Sequence, residues 1–132
     1  ARDVSIQLAE SLSFLKEQGI IHGDLKPDNI MMKDDSHIAI IDFGFASTEQ
    51  DQPMTPYQPF EYRAPELLLW RRKYTHAIDM WAFGVMLYEL TSGKQLFSGE
   101  SSTKFIRSLI NVLGYPPLKM MRGSPLARKV FG

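Results

Sequence analysis

Between residues 22 and 29 the chain reads His-Gly-Asp-Leu-Lys-Pro-Asp-Asn, and this run gathers groups that do chemistry. Asp24 is a carboxylate able to take the proton of a hydroxyl. Lys26, two residues on, is a compact cation on a flexible stem. Asn29 offers an amide oxygen, a hard donor of the kind Mg²⁺ prefers, and Asp42 supplies a carboxylate further along. The run follows a helical pattern closed by Gly19 and precedes the apolar Ile30-Met31-Met32. A polar loop pinned between two ordered elements is where catalytic groups are commonly mounted. Taken alone, the same residues also suit a plain turn, which favours Asp and Pro.

The run does not stand alone. Two short apolar stretches, Ile30–Met32 and Ile38–Ile41, flank the turn-like Lys33-Asp34-Asp35-Ser36 and lead to Asp42-Phe43-Gly44. Tyr62-Arg63-Ala64-Pro65-Glu66 follows, and Asp79-Met80-Trp81-Ala82-Phe83-Gly84 opens a long apolar run. In this order and spacing, the four motifs resemble those of eukaryotic protein kinases. The first is similar to the catalytic loop, with Gly23 where an arginine is usual. The second resembles the metal-binding triplet, and the third closes an activation segment.

The resemblance implies roles, which are the family's general pattern carried onto matching positions. Asp24 would be the catalytic base and Lys26 would neutralise charge developing on the transferred phosphoryl group. Asn29 and Asp42 would bind the cofactors, ATP and Mg²⁺, by holding the metal on the nucleotide phosphates. Met31 would lie beneath the adenine ring, where a polarizable thioether suits an aromatic neighbour; an ordinary core methionine is the alternative. His22 would pack under Phe43 and act neither as base nor as ligand. Asp79 would hold the backbone around His22 and Gly23, the alternative being a simple cap at a helix start. His37 and His76 carry no pattern and read as surface histidines.

Other positions depart from the family. Gly23 has no side chain, so the arginine that grips an activation-segment phosphate in many kinases is missing, although Thr48, Thr55 and Tyr57 offer hydroxyls. Pro59 and Phe60 stand where relatives usually show Ser or Thr and Arg, and the loss at Pro59 removes a hydroxyl that helps orient Lys26 and Asp24. Lys26, within Asp-Leu-Lys-Pro-Asp-Asn, favours Ser/Thr acceptors over those of dedicated tyrosine kinases. Leu113-Gly114-Tyr115-Pro116-Pro117, Met120–Arg122 and the Thr-His-Ala-Ile-Asp-Met-Trp run resemble the CMGC kinases. Within that group the dual-specificity tyrosine-regulated and homeodomain-interacting kinases look nearest. A weak or inactive pseudokinase acting as an interaction module, or a fragment without activity of its own, remains the alternative.

The elements that must position these groups follow from periodicity. Val4, Leu8, Leu12 and Leu15 recur at helical spacing within Arg2–Gln18, and Gly19 is a natural terminator. Thr75–Thr91 is apolar nearly all round, as befits a helix central to a lobe. Ser101–Leu113 is amphipathic, with Phe105, Ile106, Leu109, Ile110 and Leu113 on one side. The implied fold class is α+β: the mainly α-helical C-terminal lobe of a kinase-like fold with short β-hairpins, the N-terminal lobe being absent. Residues 1–132 would be a partial kinase domain, with catalytic loop 22–29, activation segment 42–66 and central helix about 75–91.

Composition narrows the class from outside. The 132 residues carry equal numbers of basic and acidic groups, 15 each, so no bulk field points to nucleic acid or an anionic membrane. Cysteine is absent, which excludes a disulfide scaffold and thiolate zinc sites. No apolar run approaches bilayer-spanning length and no signal peptide is visible. The expected partners are protein substrates and ATP, with no nucleic acid or membrane, and the expected setting is intracellular, in cytoplasm or nucleus.

Overall fold

Helix α1, Arg2–Glu17, opens the fold in a computed structural model that describes residues 2–53, 57–69 and 73–132. Its stripe of Leu8, Leu12 and Leu15 is buried against Leu25 of the loop that follows and against Ala82 and Met86 of α3, Ala77–Ser92. Strands β1, Ile30–Met32, and β2, Ile38–Ile40, form one antiparallel hairpin, with Ile30 opposite Ile40, Met31 opposite Ala39 and Met32 opposite Ile38. The turn between them is set by Asp34, whose Oδ1 accepts from the backbone N–H of Ser36 at 2.9 Å and of His37 at 2.8 Å, an Asx-type arrangement. These bonds, with the His37 ring, hold the exposed Asp34 carboxyl below its ordinary range. Gln7 ties this hairpin to α1, accepting from Ile38 N and donating to Ser36 O.

Further along, a 3-10 turn at Phe60–Tyr62 precedes α2, Pro65–Leu68, which starts on a proline in its first turn. Beyond α3 come α4, Ser102–Leu113, α5, Leu118–Met121, and α6, Pro125–Phe131. Ser101 and Ser124 cap α4 and α6, each accepting from the N–H three residues on, the usual role of an N-cap hydroxyl. Helix α3 supplies every buried cluster: Ala82 and Met86 face α1, Ile78 packs with Ile21, Ala64, Leu67 and Tyr74, and Val85 joins Phe97, Phe105, Ile106 and Leu109.

That helix differs from its expectation in one respect. Met80 and Leu90 are about half exposed, so α3 is buried along the face carrying Ile78, Ala82, Val85 and Met86 and not all round. Two residues on from Ile78 is 200° round a helix, which puts Met80 away from that face. Trp70, which ends the apolar stretch after Glu66, and the hydroxyl-bearing Thr55 lie outside the described residues.

Candidate active site

Asp79 organises the loop of residues 22–29 from beneath. It sits in the first turn of α3, and its two oxygens accept from the backbone N–H of His22 at 2.7 Å and of Gly23 at 3.0 Å. Burial pushes its carboxyl up from the ordinary value, and the two N–H bonds oppose that shift. It makes these bonds to the loop, so the capping alternative does not describe it.

His22 is fully buried and joins three pieces of chain. The N–H of Asp24 donates to its Nδ1 at 3.2 Å, which leaves Nε2 carrying the proton that reaches Ile41 O at 2.9 Å. Phe43 meets its ring edge-on, with centroids 4.9 Å apart. The expected packing under Phe43 is what the structure has.

Gly23 adopts φ +77°, and a Cβ added there would stand 2.9 Å from the carbonyl oxygen of Phe45. This backbone conformation favours glycine. The missing arginine is therefore more than a lost charge, because the loop has closed over the space a side chain would leave by.

Asp24 is 2% exposed. Its Oδ2 accepts from the Asn29 amide NH₂ at 3.1 Å, and the same NH₂ donates to Asp24 O at 2.8 Å. Its Oδ1 is buried with no hydrogen-bond partner, and Lys26 Nζ stands 3.8 Å away. A buried polar atom left unmet is rare and calls for an explanation, such as strain, a catalytic role or a bound water or ion; among the described residues His76 Nε2 and Trp81 Nε1 share that state. The 3-10 turn Pro27–Asn29 returns the chain so that Asn29 lies beside Asp24, with Asn29 N donating to Lys26 O.

Asn29 uses its amide nitrogen on Asp24, which keeps its amide oxygen for other work. The hairpin carries the chain back past Asn29, with Ile41 N donating to Asn29 O at 2.9 Å, and Asp42 is the next residue. Asp42 is exposed and has φ +61°, the one non-glycine residue in that region among those described. Its Oδ1 accepts from Gly44 N at 3.2 Å. Holding an L residue there costs on the order of 1–3 kcal/mol, and such strain collects at functional sites. The donors are oxygens, and no group of three His, Cys, Asp or Glu residues among those described forms a metal cage. That set fits Mg²⁺, which is commonly held by one or two carboxylates together with substrate phosphates.

Two expectations need revising. Met31 is 53% exposed, which removes the core-methionine alternative: in a three-residue hairpin strand its side chain finds no covering layer. His76 is no incidental surface residue. Its side chain is only 15% exposed, its Nδ1 lies 3.3 Å from Glu49 Oε1, and its Nε2 is buried. It ties Glu49 to the start of α3. His37 is exposed as expected, though its Nδ1 contacts Asp34 at 2.9 Å.

Sequence reasoning passed over Gln58 and Gln52. Gln58 is fully buried: Nε2 donates to Ile78 O at 2.7 Å and Oε1 accepts from Ala64 N at 2.8 Å, while its own N–H donates to Gly23 O at 3.1 Å. Gln52 clamps Tyr74 in the same two-handed way, through Tyr74 O and Tyr74 N. A lone glutamine in a loop carries no periodicity, so only its placement reveals the role. Of the hydroxyls offered after Asp42, Thr48 Oγ1 accepts from Asp51 N, and the Tyr57 ring stacks on Phe45.

The profile described as "Protein kinase domain" matches residues 1–122. The chain belongs to the protein kinase domain family. Among its relatives, "Cell division control protein 2 homolog 3" of Trypanosoma brucei brucei is 42% identical over 119 residues, 87% of the chain and 38% of the relative. "Dual specificity tyrosine-phosphorylation-regulated kinase 3" of Mus musculus is 40% identical over 129 residues, covering 96% and 22%. "Probable serine/threonine-protein kinase dyrk2" of Dictyostelium discoideum is 39% identical over 125 residues, covering 93% and 14%. The kinase domain is thus of the CMGC group, with dual-specificity kinases among its relatives. Its helices and single hairpin are those of a kinase C-terminal lobe. The chain spans well under half the length of these relatives, and no helix among the described residues is long and apolar enough to cross a membrane.

Proposed function

We infer that this chain carries the catalytic loop of a kinase that transfers the γ-phosphoryl group of ATP to Ser or Thr hydroxyls of proteins, with Tyr as a further acceptor. The observation that carries the reading is the division of labour within Asp24. One oxygen is held by Asn29, and the other, buried near Lys26, accepts no hydrogen bond and is an acceptor the loop leaves unused. In the reaction Asp24 accepts the hydroxyl proton as the oxygen attacks phosphorus. Lys26, 3.8 Å from the same carboxylate oxygen, sits where negative charge develops. Asn29 and Asp42 would hold Mg²⁺, which when bound neutralises phosphate charge. Met31, with its half-exposed thioether beside this loop, would lie against the adenine ring. The Ser/Thr preference is supported by Lys26 and by relatives named serine/threonine-protein kinase and dual-specificity kinase. ATP as donor supports an intracellular setting, in cytoplasm or nucleus.

The test is radiolabel transfer from γ-labelled ATP to a generic basic protein, using the full-length protein that contains this chain, with phosphoamino-acid analysis of the product. Asp24→Asn is expected to lower transfer by about 10²–10⁴-fold while leaving nucleotide affinity nearly intact. Unchanged turnover would remove Asp24 from its role, and a full-length wild type that binds ATP yet never transfers would favour the interaction-module reading.

A further inference from the structure

Charge is divided along this chain although it sums to zero. All 15 Asp and Glu residues lie within residues 1–100, whereas residues 101–132 hold six Lys and Arg and no acid. Four of those cations, Lys119, Arg122, Arg128 and Lys129, are exposed. Around the end of α4 the chain also turns large apolar side chains outward: Val112 is 54% exposed, Leu113 59%, Tyr115 75% and Leu118 71%. Gly114 ends α4, and Pro116-Pro117 leads into α5, which carries Lys119 and is capped by Arg122. The Tyr115 ring meets Phe131 with centroids 5.8 Å apart, which brings α6, with Arg128 and Lys129, beside this tip. Behind the tip a cavity of about 170 Å³ opens between α2 and α4, and no charged side chain lines it. Of the nearby carboxylates, Glu100 is paired with Lys104 at 2.7 Å, and Glu66 adjoins the lining residue Pro65.

Exposed apolar side chains scattered singly are ordinary, but a contiguous group rimmed by one sign of charge marks an interaction surface. We propose that residues 112–122, with the cations of α6, form a peripheral contact for an anionic membrane surface. Leu113, Tyr115 and Leu118 enter the headgroup boundary, and the four cations take the lipid phosphates and carboxylates. Tyr115 suits such a boundary because its ring is apolar and its tip is polar. A nucleic acid would engage the cations alone and leave the apolar tip and the uncharged cavity without a counterpart. The contact stays superficial, since no helix among the described residues is long and apolar enough to cross a bilayer. It uses no residue of the catalytic loop and is independent of the reading of Asp24.

The experiment measures co-sedimentation of the full-length protein with vesicles of phosphatidylcholine, alone or with about 30% phosphatidylserine. Wild type is expected to bind the anionic vesicles at least about tenfold better than the neutral ones, and progressively less as salt rises. The double variant Lys119→Gln with Arg122→Gln should weaken that binding by about twentyfold, at roughly fivefold per charge. Tyr115→Ser with Leu118→Ser should weaken it by about tenfold. All four residues are exposed, so the thermal midpoint and any phosphoryl transfer should stay at wild-type values. Leu118→Trp reads the contact directly: its added emission should shift to the blue with anionic vesicles and not with neutral ones. Equal binding of wild type to both vesicle types overturns the proposal, as does either double variant binding as well as wild type. Unmoved emission from Leu118→Trp overturns it too. Tighter binding to duplex RNA or to polyglutamate than to anionic vesicles, unaffected by Tyr115→Ser with Leu118→Ser, refutes the membrane contact and gives the basic surface to that polyanion.

Discussion

Replacing Gly23 with alanine is expected to destabilise the catalytic loop, and restoring the family's arginine there is expected to be no better. The magnitude comes from three contributions. A backbone at φ +77° costs an L residue about 1–2 kcal/mol. The new Cβ would stand 2.9 Å from Phe45 O, a main-chain atom that cannot swing aside. Gly23 cannot retreat either, because its N–H is bonded to Asp79 and its carbonyl to Gln58. Relief must come from moving Phe45, which disturbs a ring pair worth about 0.5–1.5 kcal/mol. Together these come to about 1.5–3.5 kcal/mol, a large effect for one methyl group. At about 1.4 kcal/mol per factor of ten, local opening should become roughly ten- to three-hundred-fold more frequent. Amide exchange of residues 21–25 and 45–58 in the full-length protein reads this directly. Exchange within about threefold of wild type would refute the reasoning, and so would a Gly23→Arg variant that gained activity.

Asp79→Asn tests the support beneath the loop. An amide presents a donor to one of the two N–H groups that the carboxylate accepts from, so about 1–3 kcal/mol of stability should be lost. The variant should also change the pH dependence. Burial raises the native pKa above the ordinary 3.8, so the native state binds the proton more tightly. This contribution is fully present below pH 3.8 and is lost as pH rises through the raised native value. Denaturant midpoints should therefore decline with pH over that window in wild type relative to Asp79→Asn; parallel profiles would contradict the shift. Gly99→Ala probes the packing of α4: its Cβ would come within 2.8 Å of Phe105 Cα and 2.9 Å of Lys104 C. Phe105 is fully buried, so overpacking by about 1–3 kcal/mol should lower the thermal midpoint, and an unchanged midpoint would show that the loop yields freely.

What was legible in the chain depended on the kind of signal. Helix α1 announced itself through Leu8, Leu12 and Leu15, because a buried stripe on a helix must recur at its period. The hairpin was readable as two short apolar runs around Lys33–Ser36. Asp24, Asn29 and Asp42 were readable as a spacing of residue types tied to a chemistry; Asn29 bonds Asp24 directly, and the Asn29–Ile41 pairing that extends β1 and β2 carries the chain on to Asp42. Gln58, Gln52 and His76 were not legible, since each acts by joining main-chain or side-chain groups distant in sequence. No local pattern encodes which carbonyl a buried amide will meet. The half-exposed face of α3 was missed for a related reason: composition reports how apolar a helix is, not how many neighbours arrive to cover it.

The unmet oxygen of Asp24 connects these levels. In a structural loop, a buried carboxylate oxygen without a donor is a liability of several kcal/mol, and a nearby hydroxyl would be the simplest remedy. Among the described residues no hydroxyl reaches it. Lys26 at 3.8 Å gives charge balance but no close hydrogen bond. The surrounding structure does not relax away from this arrangement, because Asp79 fixes the backbone on one side and Asn29 fixes Oδ2 on the other. A fixed frame around an acceptor that the loop leaves unused supports the proposed role of Asp24 as the group that takes a hydroxyl proton.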